Sequence, residues 1–223
     1  MGQLKEALKL FNDEELENVR EHVKTLFDLG KARAKVAELE LTNRLNASPD
    51  GDHQTVPISH IIDTYSAVHA YNSAVTDRQV LSVVMGPLEK IAAGGSARVR
   101  NVIGTQITDI IRAFLNHNEE LAAGQDRYFV LTDGPSIIKL DLRIWATSVN
   151  ARDIREKIEK ILVVSAVKSS IDIQKINLNI FISLYQSQLS RSSLSPHEII
   201  EEITQATEII RVLKDFTKPI QAM

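Results

Sequence analysis

The sequence predicts an α+β fold: a helical N-terminal part, residues 1 to 125, packed on a small, mainly antiparallel sheet, with a capped C-terminal helix. Three observations carry this. Before residue 125 almost every apolar run repeats at helical spacing, after it two runs alternate strictly, and the chain closes on Ser195-Pro196-His197-Glu198 ahead of a further periodic stretch. A chain of 223 residues fits a single domain, and at this size it buries about 70% of the surface its unfolded form exposes.

Asn12 with Glu15 forms a capping box, because the Asn side chain accepts from a first-turn N–H while the Glu reaches back. Leu16, Val19, Val23, Leu26, Phe27, Gly30, Ala34, Ala37, Leu41 and Leu45 then recur at helical steps, a stripe of ~50 Å if unbroken, with Gly30 the expected bend. Residues 46 to 57 hold Ser48, Pro49, Asp50, Gly51 and Asp52 and read as the clearest loop. Ser59 caps an expected helix through Ile61, Ile62, Tyr65 and Val68, whose apolar face His69 interrupts. Thr76 with Gln79 starts another, which Gly86-Pro87 should kink or end, with a short helix through Leu88 and Ile91 beyond it. Gly94-Gly95 breaks the chain and Ser96 caps a wide stripe of Val99, Val102, Ile103, Ile107, Ile110, Ile111, Phe114 and Leu115, read as the most buried helix.

Residues 128 to 131, the turn Thr132-Asp133-Gly134-Pro135 and the alternating run that follows read as a hairpin. Ile138, Leu140, Leu142 and Ile144 take one face, and Lys139, Asp141, Arg143 and Trp145 the other. Residues 151 to 161 read as a short charged helix and 162 to 167 as a buried strand. Residues 175 to 185 also alternate, placing Ile176, Leu178, Ile180, Ile182 and Leu184 opposite Asn177, Asn179, Phe181, Ser183 and Tyr185, and are expected as a strand. Ser195, with Pro196 at the first helical position, opens a helix to about Phe216.

Composition narrows the function classes. With 26 Lys+Arg against 29 Asp+Glu the net charge is -3, which argues against a nucleic-acid partner bound through phosphates. The chain has no cysteine, hence no disulfide, thiolate metal site or cysteine nucleophile. Lys5, Glu6 and Lys9 interrupt the first apolar stretch, so the expectation is a cytoplasmic protein or one released without a signal peptide.

No pair among the six histidines, at 22, 53, 60, 69, 117 and 197, has the spacing of a two-histidine metal site. Asp50-Gly51-Asp52-His53 lacks the further ligands of a calcium loop. Gly94-Gly95-Ser96 follows a helix instead of a strand and has neither dinucleotide nor P-loop spacing. No Gly-x-Ser-x-Gly elbow occurs, and the Glu pairs sit on helix surfaces. Metal, cofactor and enzyme signatures are thus missing from the sequence.

The remaining candidate is the mixed sheet face. Arg143, Trp145, Asn179, Phe181 and Tyr185 combine flat rings with a guanidinium and an amide, a mixture suited to stacking on and orienting a planar ligand. The first expectation is therefore a non-enzymatic protein that binds a small hydrophobic or aromatic molecule, as a carrier, storage or pigment protein, with room for a homo-oligomer. The alternative is a membrane-active, pore-forming protein. Helix layers flanking a small sheet, with amphipathic hairpins, resemble the architecture of cytolytic toxins of the bacterial Cyt and mushroom volvatoxin kind; no motif residue matches, and the mixed charge of the first helix differs from a basic membrane-surface face.

Overall fold

The computed structural model describes residues 4, 7–9, 11–46, 56–71, 77–116, 123–149, 154 and 158–216. Its elements run α1 (Asp13–Asn46), β1 (Ile58–Tyr71), α2 (Asp77–Ile91), α3 (Ala97–Asn116), β2 (Ala123–Asp133), β3 (Ser136–Ser148), β4 (Lys160–Ile171), α4 (Leu178–Leu189) and α5 (Pro196–Phe216). The strands form one four-stranded antiparallel sheet in the order β1-β4-β3-β2. The fold is α+β as expected, with a C-terminal helix.

The β2–β3 hairpin closes through Gly134-Pro135 between the paired Asp133 and Ser136. Gly134 has φ 57°, the positive value that a type II′ hairpin turn requires at its first central residue. Along β3, Ile138, Leu140, Leu142 and Ile144 are at most 1% exposed and face α2 to α5 together with Phe129, Leu131, Leu162, Val164 and Ala166. The opposite face of the sheet lies against α1. Val19, Val23, Phe27 and Ala34 pack there on Val68, Ile161 and Val163, and Leu41 packs on Val167.

Helix α1 runs unbroken for 34 residues. Gly30 is not a bend but a point of contact: a Cβ there would lie 2.6 Å from Val68 Cγ1, so the missing side chain lets the helix settle on β1. In α3 the expected stripe faces the core: Val99, Val102, Ile103, Ile107, Ile111 and Leu115 are buried, Ile107 being 1% exposed, while Ile110 and Phe114 are half-buried. Ile107→Ala should cost about 2 to 5 kcal/mol through the cavity it leaves, measurable by urea unfolding. A loss below ~1 kcal/mol would place this face at the surface.

Two segments depart from their expected state. Residues 59 to 68 are strand, not helix. The register of β1 against β4 shifts between Ile58 and His60 and again between Ile61 and Asp63, and each shift breaks the period of two by which a strand is recognised. Ser59 therefore caps nothing; its hydroxyl meets His60 Nδ1 at 3.0 Å and Ser170 O at 3.4 Å. The N-terminal 125 residues thus supply an edge strand as well as helices.

Residues 178 to 189 are helix α4, not strand. Asn177 Oδ1 accepts from Asn179 N (3.0 Å) and Ile180 N (3.3 Å), an N-cap that starts the helix. Phe181, Tyr185 and Leu189 then fall on one buried face at four-residue steps.

α2 passes through Gly86 and Pro87 as one helix. The carbonyl that Pro87 leaves unbonded belongs to Val83, a residue 57% exposed, so water can satisfy it. Lys160 and Ile161 open β4 instead of closing a helix; before them Ile158 N donates to Ile154 O at 2.7 Å, a helical bond. Ser195 N donates to Glu198 Oε2 at 2.9 Å, and Ser195 Oγ accepts from Glu198 N at 3.4 Å, which is the expected capping box of α5. Residues 47–55, with the Asp50–His53 cluster, together with Thr76, His117, 150–153 and 155–157, lie outside the described residues.

Candidate functional site

The five residues of the expected cleft do not meet. Arg143 and Trp145 stand on the α1 side of the sheet, whereas Phe181 and Tyr185 are buried on the other side, in the core shared by the sheet, α3 and α5. There the two rings stack on each other, centroids 5.4 Å apart at 16°. Burial, with the charge of Glu202 adding to it, holds the Tyr185 hydroxyl well above the ordinary phenol pKa. Asn179 is exposed on α4. Strand alternation over 175 to 185 would put Phe181 and Tyr185 beside Trp145; helical winding carries them into the core instead.

Of the expected mixed face only the β3 half exists: Lys139, Asp141, Arg143 and Trp145 share one side of the sheet, and α1 reaches it through Glu40 and Arg33. Arg143 donates from Nε to Asp126 Oδ1 (2.5 Å), from Nη2 to Asp126 Oδ2 (2.6 Å), and from Nη1 to Glu40 of α1. This is the bidentate geometry that favours arginine over lysine. Lys139 pairs with Asp141 at 2.8 Å, their side chains only 13% and 11% exposed, and its ammonium lies 4.9 Å from the Tyr128 ring centre. Arg33 of α1 sits 5.5 Å over the Trp145 ring, and Ser165 Oγ donates to Ala34 O at 3.4 Å. The α1 side of the sheet is thus divided: Val68, Ile161, Val163 and Val167 of β1 and β4 lie under α1, while the charged residues of β2 and β3 lie beside it and are reached by Glu40 and Arg33.

The apolar face is fastened at its two ends by lysines of β4. Lys160 Nζ donates to Leu115 O near the end of α3 (2.5 Å). Lys168 Nζ donates to Ala93 O just after α2 (3.1 Å) and to Asp133 (2.8 Å). Each ammonium meets a carbonyl at the negative end of a helix.

The helix start at Ser96 is satisfied internally. Ser96 Oγ accepts from Val99 N at 3.2 Å and donates to the buried carboxylate of Glu202 at 2.7 Å. Arg98 binds Glu201 at 2.7 Å, which raises its pKa above the usual guanidinium value. The Ser195 backbone and hydroxyl hold Glu198 below the ordinary carboxylate range. An external anion would have to displace α5. Among the described residues no group of three His, Cys, Asp or Glu side chains could hold a metal ion, and no helix is long and apolar enough to cross a membrane.

A cleft of about 220 Å³ opens between α4 and the outer edge of β2, lined among others by Arg127, Tyr128, Ser187, Gln188 and Arg191. Within it the Gln188 amide forms a two-bond pair with one residue of the edge strand: Val130 N donates to Gln188 Oε1 (2.9 Å) and Gln188 Nε2 donates to Val130 O (3.0 Å). Gln106 Nε2 in turn donates to Gln188 O at 2.9 Å. Sequence reasoning missed this contact, since nothing local links residues 58 positions apart. Comparison with known proteins finds no family model, no curated protein and no solved structure that matches this chain.

Proposed function

We propose that this chain is a membrane-active protein whose central sheet enters a bilayer as part of a pore. The observation that carries the reading is the length of the four strands together with the two-sided alternation of β3. β1, β2, β3 and β4 have 14, 11, 13 and 12 residues, each at least as long as the ~9–11 residues of a membrane-spanning strand. β3 sets Ile138, Leu140, Leu142 and Ile144 against Lys139, Asp141 and Arg143, the apolar-out, polar-in alternation of a transmembrane barrel. On β4, Lys160 and Lys168 bracket the apolar Leu162, Val164 and Ala166. At ~3.4 Å per residue the two lysines stand ~27 Å apart, comparable with an apolar band of ~25 Å.

Energetics favour the same use. Buried ion pairs contribute little net stability, because desolvation offsets their attraction; moving Lys139 and Asp141, with the already partly exposed Arg143–Asp126 pair, to a water-filled lumen therefore costs little, and the cost of the move lies in Ile161, Val163 and Val167 of the same face. The apolar face exchanges helix contacts for lipid. Leu29, Val36 and Leu39 leave an apolar stripe 45–47% exposed on the outer side of α1, a surface suited to first contact with a membrane.

The test is release of a small dye and a large dextran from phosphatidylcholine vesicles. Concentration-dependent dye release with the dextran retained is the expected result. Intact vesicles at every protein concentration would refute the reading.

A further inference from the structure

The sheet has two edge strands, β1 and β2, and they suit each other. β1 and β2 run in opposite directions, because three antiparallel pairings separate them. Laying β1 of a second copy beside β2 of the first therefore continues the antiparallel alternation. The contact is head-to-tail, of the kind that closes into rings, and each copy adds four strands.

Charge supplies a register. Asp63 lies opposite Lys168 on β4 and Arg127 opposite Leu142 on β3, so both stand on the apolar side of the sheet. Both are exposed, and neither takes part in an ion pair among the described residues. Opposite charges directly across an antiparallel pair stabilise it, and like charges destabilise it. With Asp63 of one copy facing Arg127 of the next, Tyr65 faces Gln125 and the exposed first half of β1 spans β2.

In the free chain the β2 edge already has an occupant. The Gln188 amide gives Val130 one donor and one acceptor, the pair of bonds that a neighbouring strand supplies. Capping an edge in this way blocks pairing with other chains. We infer that the β2 edge is the docking site for the β1 edge of a second copy, with Asp63 against Arg127 and α4 as the latch that must lift first. The inference rests on the pore reading for its purpose, but not for its test.

The chain contains no cysteine, so the double variant Asp63→Cys/Arg127→Cys reports the contact directly. Within one copy the two positions are three strand spacings apart, ~14 Å, beyond the ~7 Å limit for a disulfide; only different copies can join. Under mild oxidation a ladder of dimers, trimers and higher species is expected on a non-reducing gel, with vesicles or in concentrated solution. Gln188→Ala in that background should raise its yield several-fold. In a separate cysteine-free series, chemical cross-linking should fall at least about threefold in Asp63→Arg and in Arg127→Asp, and recover in the double charge swap.

A ladder missing under both conditions, or a swap no better than its single changes, overturns the pairing. A yield that Gln188→Ala leaves unchanged removes the latch. Dye release is scored separately: leakage without a ladder rejects the edge contact and keeps the pore reading, whereas a ladder without leakage keeps the edge contact and rejects the pore.

Discussion

Phe181→Ala is expected to lower stability by about 3 to 5 kcal/mol, and Ile180→Ala by less than about 1 kcal/mol. Phe181 is 1% exposed and stacks on Tyr185, whereas the neighbouring Ile180 is 40% exposed. Removing the ring leaves a cavity bounded by a strand layer on one side and helices on the other, which the packed surroundings cannot close. For a chain of this length the first change should lower the melting midpoint by roughly 6 to 20 °C. The comparison separates two states of the backbone. A strand over 175 to 185 would make Ile180 a core residue and invert the order of the two losses, so urea unfolding of both variants checks the helix as well as the packing.

That segment shows where sequence patterns fail. Ile176, Leu178, Ile180, Ile182 and Leu184 alternate without error, yet Leu178, Phe181, Ile182, Tyr185 and Leu189 also fit a helical stripe. When nearly every second residue is apolar, both periods are satisfied and the end signal decides. Asn177 was that signal, an N-cap whose side chain bonds two first-turn N–H groups. β1 failed for the opposite reason: two register shifts break its first half, and in the regular second half both faces mix polar with apolar residues, Tyr65, Ala67 and His69 on one and Thr64, Ser66 and Val68 on the other.

The elements that read correctly carried local chemistry: Gly134 at the hairpin turn, Ser195 with Glu198 at the start of α5, and the uninterrupted alternation of β3. The polar character of the Arg143 face was visible for the same reason. Its partners were not, since Glu40 and Arg33 reach it from a helix more than a hundred residues away in sequence. A side chain's place on a strand is a local fact, and what covers it is settled by tertiary packing.

The largest effect on activity is expected from fixing α1 to β1. If the α1 side of the sheet must open to water, α1 has to leave it, and Gly30 is where the two lie closest. An ideal Cβ at Gly30 would stand 3.5 Å from Val68 Cβ, within the ~3.5–4.5 Å that a disulfide spans between its Cβ atoms. Replacing Val68 by cysteine also removes the Cγ1 that would stand 2.6 Å from that Cβ, so the double variant relieves the crowding that Gly30→Ala alone would create. In a chain without other cysteines, oxidised Gly30→Cys/Val68→Cys has a single pairing to make within the molecule. Closing a loop of this size should stabilise the folded chain by a few kcal/mol, up to about 4, while dye release from vesicles falls to background. Reduction should restore release, and each single-cysteine variant should leak in both redox states. Release by the oxidised double variant at the wild-type rate would mean that α1 stays on the sheet during activity, and that side of the sheet could not then be the lining of a pore.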